Sequence, residues 1–100
     1  MAKTKSEIKQ EIKDYIDQNG GSYKSWYVGI AKDPKDRLFN EHSVRKDEDC
    51  WIFRTAVDSD TARDIEKYFV NDLGMDGGTG GGDEDAKSDY AYKKNSHTNP

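Results

Sequence analysis

Residues 26–37 of this chain read WYVGIAKDPKDR, and the stretch predicts a strand, a tight turn and the start of a helix. Most of the first six residues are aromatic or β-branched, a composition that favours a strand. Asp33 followed by Pro34 is typical of a helix start, because aspartate caps free backbone N–H groups and proline fits the first helical turn. Gly29 interrupts the strand, which indicates either a bend or a close approach of another group to the backbone. The stretch therefore predicts a fold that combines α and β structure.

Outward from this stretch, the sequence predicts three helices and three strands. The first helix begins with a capping box of Thr4 and Glu7, and the third is expected to have Ser59 as its N-cap and to stop at Gly74. The predicted elements are helices at about 4–18, 33–45 and 59–73 and strands at about 22–31, 51–57 and 89–95. The second strand is apolar enough to be central in a sheet. We expect an α+β fold with a small, mostly antiparallel three-stranded sheet flanked by three helices.

The chain divides into five parts within a single domain. They are an N-terminal helix (1–21), a strand-helix-strand-helix core (22–73), a Gly-rich acidic loop (74–88), a last strand (89–95) and a tail (96–100). The loop lacks the Gly-Lys-Ser/Thr motif of phosphate loops, so we expect a flexible connector with a solvated acidic run at 83–85. The tail is expected to fray, and His97 within it has no evident partner.

Composition limits the size of the core and the class of partner. The chain has 100 residues, of which 36% are charged and 32% hydrophobic, so we expect one domain with a small core. It has no apolar run of membrane-spanning length, and its Lys-rich start lacks the apolar stretch of a signal peptide, which predicts a cytoplasmic location without membrane contact. The net charge of −4 argues against a large nucleic-acid interface but not against a local basic face. We expect a monomer.

Glu66 is a charged residue at a helix position where the pattern predicts an apolar one. A helical wheel places it within the apolar stripe of the third predicted helix, beside Ile65 and Phe69. Because burial of a bare carboxylate is costly, such a group should be paired, protonated or bound to a metal ion. The ordinary explanation is a structural ion pair, with Arg54 or Arg37 as its partner.

Arg37 and His42 lie on the helix that follows the first strand, and each has an ordinary and a functional interpretation. For Arg37 the ordinary one is an exposed ion pair with Glu41 or Asp33, worth roughly tenths of a kcal/mol. The functional one is a guanidinium that holds a phosphate group, because its planar fork of donors matches phosphate oxygens. His42 shares the apolar arc of the helix, so it either packs at the edge of the core or points into a cleft.

The strand residues Tyr27-Val28-Gly29, with Arg37 ten residues after the tyrosine, resemble the second half of the signature of the GIY-YIG nuclease family. That family also places a metal-binding glutamate on a later helix in an Ala-x-x-x-Glu context, to which Ala62 and Glu66 are similar. The resemblance covers residues 26 to about 70 and implies a small DNA endonuclease.

The resemblance implies a role for each matching residue. Glu66 would bind one Mg²⁺ or Mn²⁺ ion, and Arg37 would stabilise the charge that develops on the scissile phosphate. Tyr27, with His42 or a C-terminal tyrosine, would position and deprotonate the attacking water. His42 follows the arginine by five residues rather than the family's four or so. Two further residues would adjoin the substrate, namely Gly29 and Lys32.

Two parts of the family signature are missing from their usual places. A Gly-Ile-Tyr strand should precede Tyr27 by about ten residues, where Asn19-Gly20-Gly21 stands instead, and glycines replace the asparagine expected about a dozen residues after Glu66. The last predicted strand carries Tyr90 and Tyr92 and resembles the missing strand moved to the end of the chain, as in a circular permutation. Tyr92 or Tyr90 would then stand beside Tyr27 and complete the catalytic site.

Different classes of function stay open on this basis. One is a divergent, metal-dependent DNA endonuclease of the GIY-YIG type. Another is a domain that keeps the nuclease fold without its chemistry and serves as a protein-interaction or regulatory module. A third is a small α+β binding domain unrelated to nucleases. A carboxylate on an apolar helix stripe favours the nuclease, because a neutral scaffold has little reason to keep Glu66 there.

Overall fold

The computed structural model describes residues 3–77 and 85–100, and within them the chain forms an α+β fold. Its helices are α1 (Lys5–Asn19), α2 (Pro34–Asp36, continued by a π-helical turn at Arg37–Glu41) and α3 (Ser59–Lys67, continued by a π-helical turn at Tyr68–Asp72). Its strands are β1 (Trp26–Ala31), β2 (Trp51–Thr55), β3 (Asp76–Gly77) and β4 (Ser88–Lys93). No helix among these residues is both long enough and apolar enough to cross a membrane.

The four strands form one mixed sheet in the order β2-β4-β1-β3. β4 is antiparallel to both β1 and β2, and the two-residue β3 runs parallel to β1. The predicted α+β class is therefore confirmed, and the antiparallel part has three strands, with β3 as an unpredicted fourth. The prediction that the strand at 51–57 is central is wrong. β2 lies at the edge with partly exposed side chains, whereas β4 is buried along almost its whole length and lies in the middle.

Side chains alternate between two faces of the sheet, and each face has its own core. The helical face is covered by α1 and α3, whose buried Ile8, Ile12, Ile16, Ala62, Ile65 and Phe69 pack with Trp26, Val28, Ile30, Ile52 and Ala91. The aromatic face carries Tyr27, Trp51, Phe53, Tyr90 and Tyr92, packed with Ala31, Leu38, Phe39 and Val44. The helical face holds most of the aliphatic core, and the aromatic face holds the candidate site.

Helix starts follow the sequence signals, with one correction. Thr4 and Glu7 form both hydrogen bonds of the capping box at the start of α1, as predicted. Asp33 caps α2 and accepts a hydrogen bond from the Asp36 N–H. The predicted N-cap Ser59 is wrong. Asp58 caps α3 instead, because its carboxylate accepts the Thr61 N–H at 2.8 Å.

Several predicted boundaries also move. The strand predicted from residue 22 begins at Trp26, because Tyr23–Ser25 forms a single 3₁₀ turn. The helix predicted to reach Arg45 ends at Glu41, and Ser43 then takes a positive φ of 59°. In the predicted loop at 74–88, Asp76–Gly77 forms β3 and Ser88 already belongs to β4. The expected connector at 78–84, with the acidic residues 83 and 84, lies outside the described residues.

Candidate functional site

A group of tyrosines and one histidine forms the centre of the aromatic face. The register of β1 and β4 places Tyr27 directly opposite Tyr92 and Gly29 opposite Tyr90. The Tyr27 and Tyr92 rings stack with centroids 5.3 Å apart, and the His42 ring lies 4.8 Å from Tyr27. The predicted neighbours Tyr27 and Tyr92 therefore stand side by side on adjacent strands. We call Tyr27, His42, Tyr90 and Tyr92 the tyrosine cluster.

His42 connects the cluster through both ring nitrogens. Nδ1 lies 2.6 Å from the Asn99 backbone carbonyl, and Nε2 lies 2.7 Å from the Tyr90 hydroxyl. Because a carbonyl can only accept, Nδ1 carries a proton, and in this neutral tautomer Nε2 accepts from the Tyr90 O–H. The Tyr92 hydroxyl lies 3.2 Å from the same Nδ1 and is a second acceptor for its proton. The network thus fixes the tautomer and orientation of His42.

Gly29 has a structural role within this cluster. A Cβ atom added at this position would lie 2.5 Å from the Tyr90 hydroxyl oxygen, closer than real Cβ contacts allow. The Tyr90 ring therefore crosses β1 at the one residue without a side chain. The close approach that the resemblance assigns to substrate or metal is made here by a phenol of the same chain.

The phenols of Tyr90 and Tyr92 are buried, and burial and nearby groups shift their pKa values. Burial is the main cause of a raised pKa at both Tyr90 and Tyr92, and the neighbouring Tyr27 adds to it. At Tyr90, Arg37 acts in the opposite direction, while Glu41 and Glu66 raise the pKa further. Tyr90 is therefore the point at which the charges of the predicted site residues Arg37 and Glu66 both act.

The predicted phosphate-binding residues lie at the surface in ion pairs. Arg37 Nε is 3.1 Å from Glu41 Oε2, and the Arg37 side chain is 37% exposed. This is the intrahelical pair anticipated from the sequence. Lys32 Nζ is 3.0 Å from Asp85 Oδ2. Both pairs are exposed enough to exchange an acidic partner for a phosphate at small cost.

Glu66 is buried as predicted, but the proposed ion-pair partners are engaged elsewhere. Arg54 Nε bonds Glu11 at 2.6 Å, and Arg37 pairs with Glu41. Glu66 is 2% exposed, and its Oε2 atom has no hydrogen-bond partner among the described residues. Burial raises the pKa of Glu66 to about 7, against the opposing charges of Arg63 and Lys67.

Asp89 is a second buried carboxyl group, which the sequence reasoning did not identify as a site residue. It is fully buried in the central strand β4, and neither carboxylate oxygen has a partner among the described residues. Burial, and next the charge of Glu66, raises the pKa of Asp89 to about 9. The available signal was its position two residues before Ala91, which places it on the face opposite the tyrosines. Its burial could be inferred only once β4 was known to be central.

The C-terminal tail is held against the cluster, so the prediction that it frays is wrong. The Asn99 N–H donates to the His42 carbonyl at 2.8 Å, which reinforces the bond to Nδ1. His97, predicted to have no partner, lies 2.6 Å from Asp49. Burial would raise the pKa of Asp49, but hydrogen bonds from the Arg45 N–H, His97 and Asn95 hold it below its usual value. The tail therefore contacts His42 through the backbone of Asn99.

Comparison with protein-family models finds no match for this chain, and comparisons with curated proteins and with solved structures find none either. Within the described ranges, no group of three or more His, Cys, Asp or Glu side chains is arranged to hold a metal ion. The function is therefore argued from the tyrosine cluster on one face of the sheet, from Arg37, whose charge acts on Tyr90, and from two buried carboxyl groups on the opposite side.

Proposed function

We propose that this domain is a metal-dependent DNA endonuclease whose chemistry is similar to that of GIY-YIG nucleases. The observation that carries the proposal is the cross-strand pair of Tyr27 and Tyr92, with His42 packed against both rings. The second phenol, missing at its usual place in the sequence, is supplied by β4. This arrangement supports the idea that the last strand substitutes for the absent Gly-Ile-Tyr strand.

One residue of the tyrosine cluster contacts the substrate, and the other three hold that residue in position. Tyr27 is only partly buried, so its phenol is the one that orients and deprotonates the attacking water. Tyr90 and Tyr92 are at most 1% exposed and His42 is 8% exposed, so these three are positioning residues. His42 holds the Tyr90 hydroxyl through Nε2 and is itself held by the tail.

Arg37 supplies the positive charge at the edge of the cluster. Its pair with Glu41 is an exposed i,i+4 contact, which contributes only tenths of a kcal/mol and can open for a phosphate group. The planar guanidinium then donates to two oxygens of the scissile phosphate and stabilises the charge that develops on them. Lys32, on the turn after β1, contacts the DNA backbone next to it.

Glu66 is the residue that would hold one Mg²⁺ or Mn²⁺ ion. The fit is supported by its unpartnered Oε2, since hard divalent cations prefer oxygen ligands. When bound, such an ion would supply Lewis-acid chemistry, from the side of the sheet opposite the tyrosine cluster.

The test compares two arginines in similar surroundings. Arg37 pairs with Glu41 and Arg45 pairs with Glu48, both on the surface. Wild type, Arg37→Ala and Arg45→Ala are incubated with supercoiled, single-stranded and branched DNA in Mg²⁺, Mn²⁺ or EDTA. We expect metal-dependent nicking by wild type, a loss of about 100-fold or more in Arg37→Ala, and an unchanged rate in Arg45→Ala. Absence of nicking on every DNA, or equal loss in both variants, would contradict the proposal.

One observation favours a second candidate, a protein-interaction module without catalysis. The tyrosine cluster is closed by the C-terminal tail, and three of its four members are almost fully buried. In that case the cluster stabilises the fold, and wild type nicks none of the DNA substrates with either metal ion. The same nicking assay separates the two candidates.

A further inference from the structure

Two aromatic rings of the edge strand β2 form a partly exposed pair on the aromatic face. Trp51 and Phe53 are two residues apart, so their side chains lie on the same face of the strand. The two rings are almost parallel, with centroids 6.3 Å apart and 5° between their planes. Phe39 packs almost at a right angle against Trp51, with centroids 5.0 Å apart, and Trp51 Nε1 donates to the Lys46 carbonyl. The pair is therefore held in a fixed orientation, although both residues are partly exposed.

The outer edge of β2 is already occupied by other groups of the chain. The backbone groups of residues 51, 53 and 55 point away from β4, because the alternate residues 50 and 56 bond toward the β4 side. Three of these outward groups have partners, namely the Trp51 N–H with the Tyr15 hydroxyl at 2.9 Å, the Phe53 carbonyl with the Arg54 guanidinium at 2.8 Å, and the Thr55 carbonyl with the Lys3 N–H at 3.3 Å. A peptide strand that added to this edge would have to break these bonds. Ring side chains, rather than backbone groups, are therefore what β2 offers to a partner.

A lysine adjoins the pair, and the acids beside it in the sequence are engaged. Lys35 Nζ lies 5.8 Å from the centre of the Phe53 ring. Lys35 is exposed and forms no ion pair within residues 3–77 and 85–100. Asp33 accepts the Asp36 N–H at 3.2 Å, and Asp36 accepts the Asn40 side-chain amide at 2.7 Å. An anionic group of a ligand could therefore reach Lys35 without displacing a carboxylate.

From this geometry we infer that Trp51 and Phe53 stack with unpaired bases of single-stranded DNA and that Lys35 contacts a phosphate beside them. A nucleotide matches both features, because its base stacks on aromatic rings and its phosphate is an anion. The inference rests on the proposed function for DNA as the ligand. It deepens that function, because bases in an intact duplex are already stacked and paired, so the site selects single-stranded or branched DNA.

The pair lies on the same sheet face as the proposed catalytic tyrosine. Trp51 is the register partner of Tyr92, which is in turn the register partner of Tyr27. Trp51 and Tyr27 are therefore two strands apart, or about 10 Å. A single strand whose phosphate is at Tyr27 could place a nearby base at Trp51.

The test follows tryptophan fluorescence in EDTA, so that binding is measured without cleavage. Trp26 is fully buried and Trp51 is partly exposed, so quenching by a stacked base reports on Trp51. Wild type, Phe53→Leu and Tyr23→Leu are titrated at low salt with a short oligothymidylate and with duplex DNA of the same length. Tyr23 is the matched control, because its partly exposed ring packs against the helical-face core instead. We expect wild type to prefer the single strand by about tenfold or more, Phe53→Leu to bind it about tenfold more weakly, and Tyr23→Leu to stay within about twofold.

A second variant, Lys35→Gln, protects the test against a folding defect in Phe53→Leu, because Lys35 is exposed. It should weaken binding and lower the slope of log affinity against log salt by about 0.7 in magnitude, the value for one phosphate contact on a single strand. An unchanged slope in Lys35→Gln would overturn the inference. So would wild-type affinity in a folded Phe53→Leu, equal affinity of wild type for the duplex, or no quenching by the single strand.

The outcomes also separate this inference from the proposed function. Quenching by the single strand without nicking of any DNA would leave the inference standing and overturn the proposed function. Nicking of duplex DNA without quenching by the single strand would do the reverse.

Discussion

At the scale of single residues, the two buried acids set the direction in which stability depends on pH. Burial raises the pKa of Glu66 from 4.5 to about 7 and that of Asp89 from 3.8 to about 9. Between about pH 4 and 9 the folded state therefore holds more protons than the unfolded state. The contribution of these two groups to stability is therefore fully present below their unfolded pKa values and is lost as pH rises through the folded ones.

We predict that metal-free wild type loses stability steadily from pH 5 to pH 9. The slope should be at most about 1.4 kcal/mol per pH unit for each group, and Glu66→Gln and Asp89→Asn should each flatten it. Urea denaturation in EDTA at five pH values measures this. Glu48→Gln, which removes an exposed acid paired with Arg45, should keep the wild-type slope. A wild-type stability that is flat or rises across this range would show that the acids are not buried as described.

At the scale of elements, β4 contributes to both candidate sites at once. Tyr90 and Tyr92 point to the aromatic face, and Asp89 and Ala91 point to the helical face. Strand alternation thus separates a phenol and a carboxyl group that are adjacent in sequence. The charge of Glu66 nevertheless acts on both Asp89 and Tyr90, so the two sites are electrostatically connected through this strand.

The helices were predictable from sequence because their signals are local. The capping box at Thr4 and the apolar spacing of Glu66's helix depend on neighbours within one or two turns. Strand order is different, because it depends on which distant segments pair. The edge position of β2 and the burial of Asp89 both follow from β4 lying between β1 and β2, a fact that no local pattern encodes. The tail was missed for the same reason, since its partner His42 is 57 residues away from Asn99.

The C-terminal tail is expected to stabilise the fold through its contacts with His42. Ending the chain at Ser96 removes the Asn99 carbonyl that accepts from His42 Nδ1 and the Asn99 N–H that donates to the His42 carbonyl. Leaving buried polar groups unpaired costs about 1–3 kcal/mol, so the truncated chain should be less stable by roughly that amount. Pro100→Ala, a change at the exposed last residue, should have almost no effect. Urea denaturation at one pH measures both, and equal stability of truncated and full-length chains would mean that the tail does not hold His42.

At the scale of the whole molecule, the last strand completes the sheet. The radius of gyration is 12.1 Å, close to the roughly 13 Å expected for a folded domain of this length. β1 and β2 do not pair with each other in the described sheet, and both depend on β4 for their antiparallel partner. The part of the chain before residue 88 therefore contains α1, α3, β1 and β2, but β1 and β2 have no strand between them until β4 (residues 88–93) is in place.

We therefore predict that a chain of residues 1–84 does not fold alone and that a synthetic peptide of residues 85–100 restores the fold in trans. The cut between residues 84 and 85 interrupts none of the described helices and strands. Without the peptide, β1 and β2 lose their antiparallel register partners, and both cores lose β4 side chains that are at most 1% exposed, namely Tyr90, Ala91 and Tyr92. Amide dispersion of labelled 1–84, recorded with and without the peptide, is the measurement. A peptide carrying Ala91→Lys should fail to restore it, because the charge would enter the helical-face core. Native dispersion in 1–84 alone would refute the central role of β4, and with it the idea that this strand replaces one missing from the start of the signature.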